Sequence, residues 1–171
     1  MKITVLNGSP RVNGNTMAMV QSFKQGAESN GHKVEVVTVG TMKINGCIAC
    51  EYCHTQGNGE CIQKDDMQKV YNAVRDADMI VIASPVYYWS FSGQMQSTIT
   101  RLYAIGKPPK AKKYALILSS GSNDVYNALV SQYNDIVSYF GAKNAGIITA
   151  YGNQNKTQAK LGEAYNLGKS L

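Results

Sequence analysis

Residues 2–16 of the chain read KITVLNGSPRVNGNT, and this stretch decides the fold. Its first part, from Lys2 to Leu6, predicts a short buried strand. The turn residues at positions 7–10 then end that strand. From Thr16 to about Ser29 apolar residues return at helical spacing, which predicts a helix. A strand that leads through a turn into a helix is the first half of a β-α-β unit.

The same alternation of strand and helix continues to the end of the chain. The predicted strands are 33–39, 79–83, 114–119 and 146–150, and the predicted helices are 65–75, 93–105, 125–140 and 154–169. Five strands that alternate with five helices predict a parallel sheet with helices on both faces. At this length the expected fold is α/β and flavodoxin-like: a three-layer α/β/α sandwich whose five-stranded parallel sheet has the order 2-1-3-4-5. Such folds bind ligands at the carboxyl ends of the strands, here at the loops after the first, third and fourth.

Composition narrows the class of protein. The chain has 171 residues, 17 basic and 11 acidic side chains and a formal charge of +6, so one domain, residues 1–171, is expected. The densest basic group, from Lys107 to Lys113, is interpreted as a solvated loop rather than a nucleic-acid site. The longest apolar run, Met79 to Val86, is too short to span a membrane, and the N-terminus does not have the pattern of a secretory signal. We therefore expect a cytoplasmic protein without nucleic-acid or membrane partners, and the charge suits anionic small molecules.

The loop after the first strand is rich in groups that bind anions. Gly8 and Gly14 let backbone N–H groups turn inward, and the N-terminus of the following helix adds a partial positive charge. Arg11 offers a planar fork of donors to a phosphate. The loop is neither a P-loop nor the GxGxxG fingerprint. Its position favours a phosphate site over the alternative, an ordinary turn capped by Thr16.

The loop after the third strand has four aromatic residues among the five from Tyr87 to Phe91. So much aromatic surface at the end of a buried strand is expected to cover something flat. A planar heteroaromatic ligand fits, as does a subunit interface, and for Phe91 the interface is at least as good an interpretation. A phosphate site beside an aromatic shelf describes a mononucleotide with a large flat ring, for which FMN is the economical choice.

Three stretches carry a family resemblance: GSPRVNGNT at 8–16, GCIACEYC with ECIQKDDM at 46–67, and ASPVYYWSFSGQMQ at 83–96. With them the chain resembles the NAD(P)H-dependent FMN reductases of the flavodoxin-like superfamily, especially the branch that includes iron–sulfur flavoproteins. The chain also departs from that family, because Gln96 stands where relatives often have a lysine and Thr100-Arg101 where they have an Asp-Arg pair.

The resemblance implies a set of cofactor-binding residues in three loops. The phosphate of FMN would be bound by Ser9, Arg11, Asn13, Asn15 and Thr16. The isoalloxazine ring would lie against Pro85, Val86, Tyr87, Tyr88 and Trp89. The loop at 119–122, which contains Gly121, would border the other side of the ring. The family's habit of placing FMN near a two-fold interface also implies a homodimer or homotetramer.

All four cysteines lie within 15 residues: Cys47, Cys50, Cys53 and Cys61. In a reducing cytosol, clustered cysteines indicate metal or redox chemistry rather than disulfides. Four thiolates suit a [4Fe–4S] cluster or an all-thiolate zinc site. The resemblance leaves two hypotheses: a cluster beside the flavin, or a bare loop over the FMN site, which we favour. The adjacent pair Asp65-Asp66 is interpreted as a helix N-cap with a first-turn charge.

These features together predict an FMN-dependent oxidoreductase that takes hydride from NAD(P)H and passes electrons to a small acceptor. A quinone, a nitro or azo compound, a flavin and a metal ion are all open as the acceptor. No side chain is expected to act as nucleophile or general base, because the cofactor carries the chemistry. The alternatives are an electron-transfer iron–sulfur flavoprotein or flavodoxin-type carrier without NAD(P)H oxidation, and a redox or metal sensor. The positive charge argues against a carrier flavodoxin, since such carriers are usually acidic.

Overall fold

A parallel sheet of five strands forms the centre of the molecule, and the computed structural model describes all residues, Met1–Leu171. The strands are β1 (Lys2–Asn7), β2 (Lys33–Val37), β3 (Met79–Tyr87), β4 (Ser90–Phe91), β5 (Lys113–Ser120) and β6 (Lys143–Tyr151). The five parallel strands have the order β2-β1-β3-β5-β6, which confirms the predicted order 2-1-3-4-5. The short β4 is a sixth strand that the sequence did not predict. It pairs antiparallel with the end of β3.

Helices cover both faces of the sheet. They are α1 (Asn15–Ser29), α2 (Tyr52–Thr55), α3 (Met67–Asp76), α4 (Gly93–Arg101), α5 (Asn127–Phe140) and α6 (Gln158–Lys169). Three 3-10 turns lie at Val39–Thr41, Leu102–Ile105 and Gly152–Gln154. Helices α1 and α6 pack on one face, and α3, α4 and α5 pack on the other. None of the helices is long and apolar enough to cross a membrane.

The central strand β3 shows why its sequence is a continuous apolar run. Met79, Val81 and Ala83 belong to the core under α1 and α6. Ile80 and Ile82, which alternate with them, belong to the core under α3, α4 and α5. A parallel strand with both faces covered has no side exposed to solvent. Its sequence is therefore apolar throughout instead of alternating between apolar and polar residues.

Element ends differ from prediction where tertiary contacts extend or shorten an element. Strand β3 runs on to Tyr87 instead of ending at Ala83, because Pro85 pairs with β5 and Tyr87 pairs with β4. The last helix begins at Gln158 instead of Gln154. There the hydroxyl of Thr157 caps it by accepting a hydrogen bond from the N–H of Lys160.

Candidate functional site

A polar cavity of about 230 Å³ opens at the carboxyl ends of β1, β3 and β5. The residues that line it are Ser9, Arg11, Gly14, Asn15, Thr16, Pro85, Val86, Tyr87, Ser119, Ser120, Gly121, Gly152 and Asn155. This edge is the switch point of the sheet, where β1 and β3 send their chains to opposite faces, and open α/β sheets bind ligands there. The wall contains no carboxylate, histidine, lysine or cysteine. It therefore suits an anion and offers no acid–base pair for catalysis.

Eight of the residues expected to bind the cofactor come together in this wall. They are Ser9, Arg11, Asn15, Thr16, Pro85, Val86, Tyr87 and Gly121. Asn13, Tyr88 and Trp89 lie outside the wall. Gly152 and Asn155, which follow β6, were not expected there. The switch-point rule selected the loops after the first, third and fourth strands, and so it passed over the loop after the fifth.

The loop after β1 is shaped by its own polar side chains. The Oδ1 atom of Asn7 accepts a hydrogen bond from the N–H of Ser9 at 3.1 Å. The hydroxyl of Ser9 accepts another from the N–H of Arg11 at 3.3 Å. Position 14 needs glycine because the backbone there lies close to Arg11: a Cβ at this position would lie 2.9 Å from the Cβ of Arg11. The loop thus folds over the start of α1.

The N-terminus of α1 faces this loop without a protein cap. Its N-cap residue is Gly14, no side chain bonds its first turn, and that turn contains no acidic residue. Uncapped N–H groups and the helix dipole favour an anionic ligand. The hydroxyls of Thr16 and Ser119 lie 2.6 Å apart, and both residues are buried. Helix α1 and strand β5 thereby present two hydroxyls beside the same helix end.

Asn155 adds an unpaired acceptor to the cavity. Its side chain is 2% exposed, and its Nδ2 donates to the carbonyl oxygens of Ser120 and Gly152 at 2.9 Å each. The Oδ1 atom has no hydrogen-bond partner in the protein. A buried unpaired acceptor is unfavourable unless a ligand or water donates to it. Asn155 is therefore a ligand-binding candidate that the sequence analysis missed.

The aromatic loop is a tight hairpin between β3 and β4. Tyr87 pairs with Ser90, which leaves Tyr88 and Trp89 as the two residues of the turn. Both have positive φ, 51° and 58°, in the left-handed region that bulky residues avoid. Their rings meet edge to face at 5.3 Å, and the two residues are 93% and 57% exposed. The turn holds two large aromatic rings in solvent at the cost of backbone strain.

The four cysteines lie together around a hollow at the far end of α4. All four line a space of about 20 Å³ with Arg101 and Tyr103. Cys47 and Cys50 are exposed, Cys53 and Cys61 are buried, and none forms a disulfide. Burial raises the pKa of the Cys53 thiol. No three Cys, His, Asp or Glu side chains converge on one metal position, so this conformation of the loop fits neither a zinc ion nor a [4Fe–4S] cluster.

The hollow and the polar cavity share no residue. The N-terminus of α4 packs near the loop after β1, since a Cβ on Gly8 would lie 2.6 Å from the Ser92 hydroxyl. The hollow touches the other end of α4, and a helix of nine residues is about 13 Å long.

The segment that holds the four cysteines, residues 42–64, is called the cysteine loop below. Arg101 connects this loop to α4 by hydrogen bonds. The Arg101 side chain is 1% exposed, and its Nη1 donates to Asp65 Oδ2 at 2.9 Å while its Nη2 donates to Asp65 Oδ1 at 3.3 Å. The guanidinium also donates to the carbonyl oxygens of Asn45 and Gln63. Asp65 thus supplies the carboxylate that pairs with Arg101. Helix α3 begins at Met67 with Asp66 as its N-cap, so the expected N-cap at Asp65 is wrong by one residue; Asp65 Oδ1 still accepts a hydrogen bond from the N–H of Met67.

The Asp65–Arg101 pair predicts a specific acid sensitivity. Burial alone would raise the pKa of Asp65, but hydrogen bonds from Arg101 and from two backbone N–H groups outweigh it and hold the pKa below its usual value. A depressed pKa stabilises the fold above about pH 4, the value of an unfolded aspartate, and this stabilisation is lost as pH falls through the folded pKa. We expect the thermal midpoint of Asp65→Asn to fall less between pH 6 and pH 3 than that of the wild type. Asp135→Asn, at an exposed position, is the control, and parallel curves for all three proteins would contradict the prediction.

Residues 1–156 match the NADPH-dependent FMN reductase family. An iron–sulfur flavoprotein from Archaeoglobus fulgidus is 35% identical over 140 residues, which cover 81% of this chain and 60% of the relative. The chain thus spans less than two thirds of that relative's length.

Two solved structures share the fold. An NAD(P)H:quinone oxidoreductase from Methanothermobacter marburgensis aligns over 99% of this chain and 96% of its own, with a TM-score of 0.80 and 15% identity. A flavodoxin from the domain Archaea aligns over 99% of this chain and 95% of its own, with a TM-score of 0.64 and 20% identity. The predicted flavodoxin-like fold is confirmed.

Proposed function

The chain belongs to the NADPH-dependent FMN reductase family, and we propose that it is an FMN-dependent oxidoreductase that takes hydride from NAD(P)H and passes the electrons to a small acceptor. One observation carries the proposal: the uncapped N-terminus of α1 opens into a polar cavity at the switch point, bordered by Pro85, Val86 and Tyr87. A phosphate at the helix and a flat ring towards the aromatic turn match these two environments.

Different residues of the cavity would bind the phosphate and the ring of FMN. The phosphate would be bound by Ser9, Arg11, Asn13, Asn15 and Thr16. The ring would contact Pro85, Val86, Tyr87, Tyr88 and Trp89 on one side and Gly121 on the other. The unpaired Oδ1 of Asn155 would accept a hydrogen bond from a hydroxyl or N–H of the cofactor. FMN, when bound, supplies hydride acceptance and electron release. The protein orients the ring and excludes water.

A titration of apoprotein with FMN tests the binding site. We expect one FMN per chain by quenching of flavin fluorescence, and weaker binding of riboflavin, which lacks the phosphate. Arg11→Ala removes a charge-assisted donor worth about 1.5–3 kcal/mol, so FMN affinity should fall roughly 10- to 100-fold while riboflavin affinity changes little. Lys33→Ala removes a positive charge on β2 and is the matched control. Equal affinity for FMN and riboflavin in the wild type would refute a phosphate site at α1.

The exposed aromatic turn supports a further part of the proposal, assembly as a homodimer or homotetramer. Tyr88 and Trp89 present large apolar rings to solvent, and such surface is commonly covered by a second subunit. Light scattering at micromolar concentration measures the state directly. A monomer would argue against a role of these two rings in an interface.

A second candidate function is electron transfer by an iron–sulfur flavoprotein. The name of the relative from Archaeoglobus fulgidus favours it, as does the lining of one hollow by all four cysteines. A [4Fe–4S] cluster needs room for four irons and four sulfides, so the loop would have to open from the conformation described above. Iron and acid-labile sulfide assays on anaerobically purified protein separate the two candidates. About four of each per chain would favour the electron-transfer protein, and the absence of both would remove it.

A further inference from the structure

Lys156 joins two loops that contribute to the polar cavity, the loop after β1 and the loop after β6. Its Nζ donates a hydrogen bond to the carbonyl oxygen of Asn13 at 2.9 Å, although the two residues are 143 positions apart. Neither residue lines the cavity, but each is next in the chain to a residue that does, Asn155 and Gly14. Gly14 is also the N-cap of α1, so the ammonium group lies beside the helix end that is open to an anion.

The loop after β6 fixes Lys156 from its N-terminal side. The side chain of Asn155 is buried, and its Nδ2 donates to the carbonyl oxygens of Ser120 and Gly152 at 2.9 Å each. Ser120 and Gly152 both line the cavity. The backbone directly before Lys156 is therefore attached to the cavity wall.

Helix α6 fixes Lys156 from its C-terminal side. The hydroxyl of Thr157 caps this helix, which packs along α1. Ser22 on α1 donates from its Oγ to the carbonyl oxygen of Leu161 on α6 at 2.7 Å. A Cβ on Gly168 would collide with the backbone of α1, so the two helices lie in backbone contact. The hydrogen bond from Lys156 to Asn13 thus spans two segments that the fold holds at a constant distance.

The ammonium group of Lys156 can bind a second acceptor. It carries three N–H donors, and the carbonyl oxygen of Asn13 is its single partner in the protein. No carboxylate pairs with it, whereas Lys160, one turn further on, is paired with Glu163 at 2.9 Å. Arg11 is the one cation in the cavity wall, and a phosphate monoester carries nearly two negative charges at pH 7. A second cation beside α1 matches the second of these charges.

We propose that Lys156 is a specificity-determining residue for the phosphate of the cofactor. It holds the loop after β1 in place and supplies the second positive charge at the N-terminus of α1. The group that it selects is a phosphate monoester. The inference rests on the proposed function, because it takes the phosphate of FMN to bind at this helix end.

Titration of apoprotein with FMN and with riboflavin tests the role of Lys156, since riboflavin lacks the phosphate. Lys156→Met keeps the length of the side chain without the charge or the donor. Its FMN affinity should fall about 3- to 10-fold, as for one charge-assisted hydrogen bond at an exposed site, while its riboflavin affinity stays within about twofold of the wild type. Lys156→Arg keeps the charge and the donor, and its FMN affinity should stay within about twofold of the wild type.

Lys143→Met is the matched control, because it removes an exposed lysine at the opposite end of β6. It should bind both compounds as the wild type does. Salt separates the charge of Lys156 from an effect on the shape of the loop. Between about 20 and about 300 mM NaCl, FMN affinity should fall more steeply in the wild type than in Lys156→Met, because the exposed charge is screened. Riboflavin affinity should change little in either protein.

Two results would overturn the inference and leave the proposed function intact. Unchanged FMN affinity in Lys156→Met would show that the residue does not act on the phosphate, and an equal loss of FMN and riboflavin affinity would show that it only shapes the cavity. A wild type that binds FMN no more tightly than riboflavin would overturn both. Thermal unfolding shows whether each variant is folded, and the neutral Lys156→Gln repeats the comparison if methionine destabilises the chain.

Discussion

Replacing Arg101 with methionine is expected to lower the free energy of unfolding by about 3–5 kcal/mol, because the change leaves Asp65 buried without its counter-ion. For a chain of this length, that loss corresponds to a fall in melting temperature of roughly 10 °C. The carbonyl oxygens of Asn45 and Gln63 lose their donors as well. Urea unfolding followed by circular dichroism measures the loss.

Two further variants separate the ion pair from simple packing. Arg101→Met combined with Asp65→Leu should lose less than the sum of the single changes, because neither charge is then left alone. Arg101→Lys keeps the charge without the planar fork and should fall between the wild type and methionine. A loss below about 1 kcal/mol in Arg101→Met would show that the pair does not stabilise the fold.

Arg101→Met should also make the cysteine loop more accessible to solvent. In the wild type a thiol reagent is expected to modify Cys47 and Cys50 rapidly and Cys53 and Cys61 slowly, following their exposure. Once Arg101 no longer holds the loop to α4, all four should react rapidly. Measuring the reaction under conditions where the variant is fully folded separates release of the loop from global unfolding.

Replacing Tyr88-Trp89 with Asn-Gly is expected to stabilise the fold and weaken FMN binding at the same time. Asparagine and glycine accept positive φ at the two positions of a type I′ turn, so the strain of about 1–2 kcal/mol at each aromatic residue is relieved. If the rings lie against the flavin, their removal takes away contacts worth about 0.5–1.5 kcal/mol each, and FMN affinity should fall roughly tenfold.

A matched variant with phenylalanine at both positions keeps the aromatic area and the strain. It should match the wild type in melting temperature and bind FMN nearly as well. A melting temperature of the Asn-Gly variant below that of the wild type would contradict the strained turn. Unchanged FMN affinity would show that the rings serve an interface or solvent rather than the cofactor.

The sequence predicted those features that depend on local pattern. The apolar run of β3 and the change from strand to helix around residues 2–16 led to the correct sheet order. The stretch after β1 supplied four of the eight expected residues of the cavity wall. These succeeded because the periodicity of apolar residues and the position of glycines report directly on neighbouring backbone.

Other features depend on contacts across the chain and gave no local signal. The turn at Tyr88 and Trp89 lacks the asparagine or glycine that announces a two-residue hairpin. The pairing of Asp65 with Arg101 joins residues 36 positions apart, and the sequence around Asp65 indicated only a local role as a helix N-cap. Asn155 became a site residue because β6 ends beside β5, which no pattern within its own loop indicates.

Anaerobic mixing of the FMN-loaded protein with NADPH tests the central proposal most directly. An NAD(P)H-dependent flavin oxidoreductase should lose its flavin absorbance near roughly 450 nm with one equivalent of NADPH and regain it when a quinone is added. NADH in a parallel experiment shows which nucleotide is preferred. If the flavin stays oxidised with both nucleotides, although dithionite reduces it in the same folded protein, the chain does not oxidise NAD(P)H and an electron-carrier function takes its place.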